Sequence, residues 1–315
     1  MKKQKRFAVA ALAFAAVLGA CSPSKTVQTQ ENASENDGKL DVMASFYPMY
    51  DFAVKVAGDR ANVTAMVPAG TEPHDWEPAV ADIRNLENAD LFVYSGAGME
   101  HWAEDVLESL DNQDLTVVEA SDGVTLLEGD SHDDGHDHGE ESSYDPHVWL
   151  DPQNAKKEME NIKNGFVQAD PDHAADYEAN FATWAEEFDK LDQEFTDTLG
   201  ALENKNIVVA HEAYGYLCEA YGLHQMGIEG LTPDSEPDPA RMAEIIDFVK
   251  ENDVKVIFFE ELASSKVADT VARETGAQVG VLSPLEGLSD REEADGADYF
   301  SVMRENLAAL QSALE

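Results

Sequence analysis

The chain has 315 residues, 43% of them hydrophobic, enough for a substantial core and between the size of one large domain and two ordinary ones. Its 64 acidic and 21 basic side chains give a formal charge of −43. That argues against a nucleic-acid partner, whose phosphates need lysine and arginine, and against adhesion of the folded surface to anionic lipid. So many carboxylates read as a solvated, self-repelling surface and do not by themselves identify a metal protein.

At the start of the chain, Lys2, Lys3, Lys5 and Arg6 precede an apolar run from Phe7 to Leu18. This is the layout of an export signal over residues 1–20, and it is too short for an ordinary membrane-spanning helix. The run closes on Leu18-Gly19-Ala20-Cys21, which resembles a bacterial lipobox, so lipidation at Cys21 and an extracytoplasmic, membrane-anchored product are expected. Residues 21–39 are polar and read as a flexible tether. Cys218 is the only other cysteine, so no internal disulfide is expected despite the oxidising location. It reads as a small buried residue on a helix face with Tyr214, Leu217 and Tyr221, a thiolate ligand being the alternative.

Order is expected from about Leu40. Leu40 to Tyr47, Ala61 to Val67, Asp90 to Tyr94 and Leu115 to Glu119 read as strands of one parallel sheet with helices between them, an α/β lobe over residues 40–170. A second set, Ile207 to Ala210, His224 to Ile228, Val254 to Glu260 and Ala277 to Leu282, predicts a similar four-stranded lobe over residues 205–315. Between them, over residues 171–204, Tyr177, Phe181, Trp184, Phe188, Leu191, Phe195 and Leu199 recur every three or four positions. They form the apolar face of one helix of roughly 28 residues, about 40 Å long. Residues 128–143 (EGDSHDDGHDHGEESS) hold no strongly apolar side chain and predict a mobile loop. His132, His136 and His138 within it could bind a divalent metal weakly, the plainer reading being an acidic loop alone.

Three other histidines sit in rigid settings near predicted strand ends, where α/β sheets bind ligands. His74 lies in PAGTEPHDWEP and His147 in DPHVWLDP, ahead of a helix that Asp151 can cap with Pro152 in its first turn. His211 follows the strand ending at Ala210. Each alone reads more readily as a hydrogen-bonded structural residue. Together, three neutral imidazoles leave one position of a tetrahedral zinc shell for a carboxylate or water. His101, His173 and His224 lack such a setting and read as surface or packing residues.

The segments PAGTEPHDWEP, DPHVWLDP, VVAHEAYGYLCEAYGL, SSKVADTVARETGA and LSPLEGL resemble the zinc members of the cluster A-I solute-binding proteins of ABC importers. The likeness covers nearly all of residues 40–315. It implies two α/β lobes joined by one long rigid helix, with Zn²⁺ as the transported ligand in the cleft between them, held by His74, His147 and His211. Manganese-binding relatives and some zinc ones place an aspartate in the loop after the last strand, where the nearest position in this chain is Ser283. Relatives reading LNPLEGL use the following glutamate, here Glu286, so Glu286 is the expected fourth ligand, with water or a loop histidine as alternatives. Manganese relatives also carry glutamate where His211 stands, and three nitrogens with one carboxylate favour Zn²⁺ over the harder Mn²⁺. The resemblance further implies a membrane permease and its ATPase as partners, a monomer, and a loop that collects or senses metal.

An enzyme is the main rival class, because His211-Glu212 looks like the start of a zinc-hydrolase helix. That motif needs a second histidine four residues on, and the position is Gly215. A manganese-binding or adhesin-type lipoprotein of the same family is the other alternative. Because imidazole and carboxylate bind metal deprotonated, affinity is expected to fall as pH drops through about 6.5.

Overall fold

Short β-branched and aromatic runs build the strands, and all eight expected ones form. β1 (Leu40–Ala44), β2 (Ala61–Ala65), β3 (Leu91–Tyr94) and β4 (Thr116–Glu119) make a parallel sheet in the order β2-β1-β3-β4. β5 (Asn206–Val209), β6 (His224–Gly227), β7 (Val256–Phe259) and β8 (Gln278–Val281) make a second, β6-β5-β7-β8. Registers correspond: Val42 lies opposite Val63 and Leu91, and Val208 opposite Met226 and Ile257. The computed structural model describes residues 38–129, 144–233, 237–260 and 262–315, and residues 38–315 form one compact unit. The expected signal, most of the tether with Cys21, and His132, His136 and His138 lie outside the described residues.

Helices α1 (Tyr47–Ala57), α2 (Val80–Glu87), α3 (Ala103–Ser109) and α4 (Pro152–Ala169) accompany the first sheet. After α5 (Ala174–Gly200), the helices α6 (Gly215–Tyr221), α7 (Pro239–Glu251), α8 (Lys266–Thr275), α9 (Asp290–Asp295) and α10 (Tyr299–Leu314) accompany the second. The first strand stops at Ala44, short of the expected Tyr47. Pro48 sits in the first turn of α1, where its missing N–H costs nothing, whereas a sheet ladder would need that donor.

Both sheets bury two faces, as parallel sheets do, and the alternation of side chains sorts them into different cores. Val42, Ala44, Leu91 and Val93 point to the same core as Ile207, Val209 and Phe258 of the second sheet. Met43 and Phe92 point the other way, into a cluster with Leu86, Trp102 and Val106 from α2, α3 and their surroundings. Val208 and Ile257 likewise point into a separate cluster with Ile245 and Val271 of α7 and α8. The inner core is thus shared and the two outer ones are private.

α5 runs through the shared core. Its 27 residues span about 40 Å, packing against α1 and α4 of the first half and α6 and α10 of the second. Tyr177, Phe188, Leu191, Phe195 and Leu199 are fully buried, and Phe181 and Trp184 are half-buried. Phe188 meets Phe52 at 5.7 Å, Tyr299 at 5.5 Å and Phe300 at 4.7 Å between ring centroids. Such aromatic contacts on both sides make the helix a packed joint whose rigidity comes from its neighbours. Among the described residues no helix is long and apolar enough to cross a membrane.

Candidate metal centre

From the first half come His74 and His147. His74 sits on the long loop between β2 and α2, nine residues past Ala65. Its N–H donates to Glu72 Oε1 at 3.0 Å, and Trp76, packed edge-on against Trp102 at 5.5 Å, anchors the turn. His147 directly precedes a 3₁₀ turn, Val148–Leu150, that leads into α4, whose first turn is capped by Asp151 accepting from the Gln153 N–H at 2.9 Å. Asp145 Oδ1 accepts from the His147 backbone N–H at 2.9 Å and lies 2.8 Å from Nδ1, which points Nε2 into the centre.

This segment is gripped by the second half. Tyr216 Oη donates to the Asp145 carbonyl at 2.9 Å, Trp149 Nε1 to the Pro284 carbonyl at 2.8 Å, and Tyr299 Oη to the Trp149 carbonyl at 2.7 Å. Gly215 opens α6 against Asp145, and a Cβ there would run into Asp145 Oδ2. The position that denied the chain a zinc-hydrolase motif therefore has a steric reason for being glycine.

From the second half come His211 and Glu286. His211 lies two residues past β5, its approach fixed by the Ala210 N–H donating to the Phe258 carbonyl at 2.8 Å. His211 Nε2 lies 2.8 Å from the Leu231 carbonyl and donates to it, leaving Nδ1 toward Glu286. Glu286 sits on the loop after β8. Asn306 of α10 clasps the loop at Ser283, accepting its N–H at 2.9 Å and donating to its carbonyl at 2.7 Å, while Ser283 Oγ accepts the Leu285 N–H at 3.2 Å. Leu285 takes φ of 60°, a costly conformation for a non-glycine residue, and is itself fully buried. Ser283 thus shapes the loop and Glu286 reaches the centre.

The donor atoms of His74, His147, His211 and Glu286 all lie within 4.8 Å of one another, and all four residues are buried. His74 Nε2 is 3.3 Å from both His147 Nε2 and Glu286 Oε1, His147 Nε2 is 3.0 Å from Glu286 Oε1, and His211 Nδ1 is 3.8 Å from it. Two ligands on a tetrahedral zinc with bonds of about 2.1 Å lie about 3.4 Å apart, so these separations suit one ion. Burial would raise the Glu286 carboxyl, but the charges of His74 and His211 and hydrogen bonds from His147 and His74 hold it well below the usual range. Burial would lower His211, but Glu286, then Glu260 and the Leu231 carbonyl, raise it to about 10. His147 is raised too, its burial outweighed by hydrogen bonds to Asp145 and Glu286. Protons therefore compete with a metal above the ordinary histidine value, and not only near it.

All four residues expected as ligands come together. Cys218 is buried and outside the group, its thiol pushed up by burial. His173 pairs with Asp170 at 2.6 Å, while His101 and His224 are exposed. Two residues escaped the sequence reading. Asp145 stood in plain sight in DPH, two residues before its histidine. Glu260 directly follows β7, a position past a strand end like that of His211, but one carboxylate among 64 acidic side chains carries no signal of its own.

Comparison with known proteins places these features in one family. Residues 42–313 match the family model for the zinc-uptake complex component A, periplasmic. The chain is 42% identical over 302 residues to the high-affinity zinc uptake system protein ZnuA of Bacillus subtilis, covering 95% of this chain and 94% of that one. It is 42% identical over 296 residues to the zinc-binding protein AdcA of Streptococcus pyogenes, covering 90% of this chain but spanning only 58% of that longer relative. The Zn(II)-bound ZnuA-like domain of Streptococcus pneumoniae AdcA superposes with a TM-score of 0.76 at 39% identity, over 88% of this chain and 99% of the domain. With buried histidines and a carboxylate converging as described, the chain belongs to the ZnuA family of zinc-uptake complex component A proteins.

Proposed function

We propose that this protein captures Zn²⁺ outside the cytoplasm and delivers it to the permease and ATPase of an ABC importer, with His74, His147, His211 and Glu286 as the zinc ligands. The observation that carries the reading is the meeting of three imidazole nitrogens and one carboxylate oxygen, buried and drawn from both halves of the molecule. This donor set suits Zn²⁺ better than an oxygen-preferring ion such as Mn²⁺. Four protein donors fill a tetrahedral shell, whereas a catalytic zinc keeps one position for water, so the geometry supports capture over hydrolysis.

Residues 40–170 and 205–315 act as the two lobes and residues 171–204 as their connector. Because the inner core is common to both sheets, small tilts and loop movements are the motions open to it. Lipid on Cys21 holds the protein at the membrane, and His132, His136 and His138 gather metal for delivery to the site. Zinc loading releases protons from the imidazoles.

Metal analysis of protein purified without chelator tests the centre. One zinc per chain is expected, with binding weakened at least about 100-fold in each alanine variant of the four ligands, more than loss of an outer partner costs. Stoichiometric zinc in all four variants would overturn the reading. Cell fractionation of Cys21→Ala, expected to release the protein, tests the anchor. Zinc transfer at limiting metal after deletion of residues 129–142, expected to slow, tests the loop.

A further inference from the structure

Beside the four donors stands another buried carboxylate, close to one of them. Glu260 is only 4% exposed, and its Oε1 has no hydrogen-bond partner among the described residues. The atom facing it is His211 Nδ1, also buried and without a hydrogen bond, 3.5 Å away. That pair makes no hydrogen bond, yet its spacing is that of two ligands on one zinc ion. A buried carboxylate oxygen without a donor is costly to keep. The Leu231 carbonyl holds Nε2, so Nδ1 cannot turn away without breaking that bond. A small cavity lined by Glu260, Ser283 and Glu286 lies alongside.

The four ligands are not held alike. His147 is fully buried and locked by Asp145, in a segment bonded to the second half through Tyr216, Trp149 and Tyr299. Glu286 rides on the loop clasped by Asn306. His74 is the most exposed of the four, at 8%, and its loop reaches the second half through the Gly70 N–H donating to the Leu288 carbonyl at 3.2 Å. Long loops with few outside bonds open at the lowest cost, so His74 is the ligand that leaves first.

Resting on the zinc reading above, we infer that Glu260 is a reserve zinc ligand that replaces His74 when the loop carrying His74 draws away. One Zn–N bond to His74 breaks and one Zn–O bond to Glu260 forms. His74 leaves as neutral imidazole, no proton moves, and the ion stays four-coordinate on His147, His211, Glu286 and Glu260. The exchange lowers the charge of the complex by one and leaves zinc on ligands anchored to the second half, open on the side His74 vacated. The metal thus changes hands without passing through a bare, three-coordinate ion.

Zinc affinities of the wild type, His74→Ala, Glu260→Gln and the double variant, measured by competition with a chromophoric chelator, test the exchange. Glu260→Gln is expected to weaken zinc about tenfold more in the His74→Ala background than in the native one. Co²⁺ supplies the second readout: His74→Ala should keep the strong visible bands of a four-coordinate ion, and the double variant should lose them. Equal losses in the two backgrounds overturn the proposal, as do Co²⁺ bands in His74→Ala that are already those of a six-coordinate, water-rich ion. Melting curves without metal check folding, and Glu260→Ala replaces the glutamine variant if that one fails to fold. Wild-type protein that takes up no zinc would overturn the reading of the centre itself, whereas zinc binding with additive losses overturns the reserve ligand alone.

Discussion

The inner core and the two outer layers are built from the same strands but hold the molecule in different ways. The outer layers are local: Met43, Phe92 and Trp102 serve only the first sheet, and Val208, Ile257 and Ile245 only the second. The inner core joins both sheets to α1, α4, α5, α6 and α10, with Phe52, Phe188, Tyr299 and Phe300 in mutual contact across it. Identical strand orders thus conceal an asymmetry of support. Rigid-body separation of the sheets would have to break the shared core, and the strand-end segments around His147 and Glu286 are tied into it through Trp149, Leu150 and Leu285, whereas His74 lies on a loop with fewer such ties. The four candidate donors all lie on strand-end segments, His74 on the least tethered of them.

Substitutions on the two sides of a sheet should break this comparison most strongly. Phe188→Ala in the inner core should cost about 3–5 kcal/mol and loosen zinc as well, because both halves lose their common surface. Ile245→Ala in the outer layer of the second sheet should cost about 2–4 kcal/mol with zinc affinity changed less than about twofold. Urea unfolding paired with zinc competition reads both, and Phe188→Ala unfolding in the same single transition with native zinc affinity would show that the core is not a joint.

The next effect belongs to the support of one ligand. Asp145→Asn removes the charge that orients His147 while keeping the side chain's size, and zinc affinity should fall about 10- to 100-fold with little change in metal-free stability. A loss under twofold would mean that Tyr216 and Trp149 alone hold the segment.

The smallest effect sits at the edge of the inner core. Glu158 of α4 is fully buried, with Oε1 3.4 Å from Ser95 Oγ and Oε2 without a hydrogen-bond partner among the described residues. Burial, reinforced by Glu100 and Asp151, pushes its carboxyl well above the usual glutamate value. The folded protein then keeps a proton that the unfolded chain gives up, so stability drains away as pH rises from the ordinary glutamate value toward the raised one. Glu158→Gln lacks that titration. Its melting temperature should exceed the wild type's at pH 8, by about 1 kcal/mol in stability, with the gap closing toward pH 4. A gap that widens on acidification would reverse the sign and reject the assignment.

Much of this was legible in the sequence because it depends on near neighbours. β-branched runs gave all eight strands, and the three- and four-residue spacing of aromatics gave α5. Strand bounds were read a residue or two too wide in places, and most at β1, where Phe46 and Tyr47 extend the apolar run and only Pro48 signals that a helix has begun. His74, His147 and His211 stood out because prolines and strand ends framed them. Glu286 needed the family likeness, since its route to the centre depends on a clasp from Asn306, 20 positions further along the chain. Asp145 and Glu260 were harder still, because a carboxylate acquires its role from the histidine it faces, and that pairing is set by topology.

Gly215 carries a consequence for recombination. The helix that begins there comes from the second half of the chain, while the carboxylate occupying the space of its missing side chain comes from the first. A hybrid assembled from two relatives would inherit a working His147 only if the crossover kept that hydrogen atom and that carboxylate together. A methyl group at residue 215 would then disturb His147 at second hand, by crowding the Asp145 carboxylate that orients it.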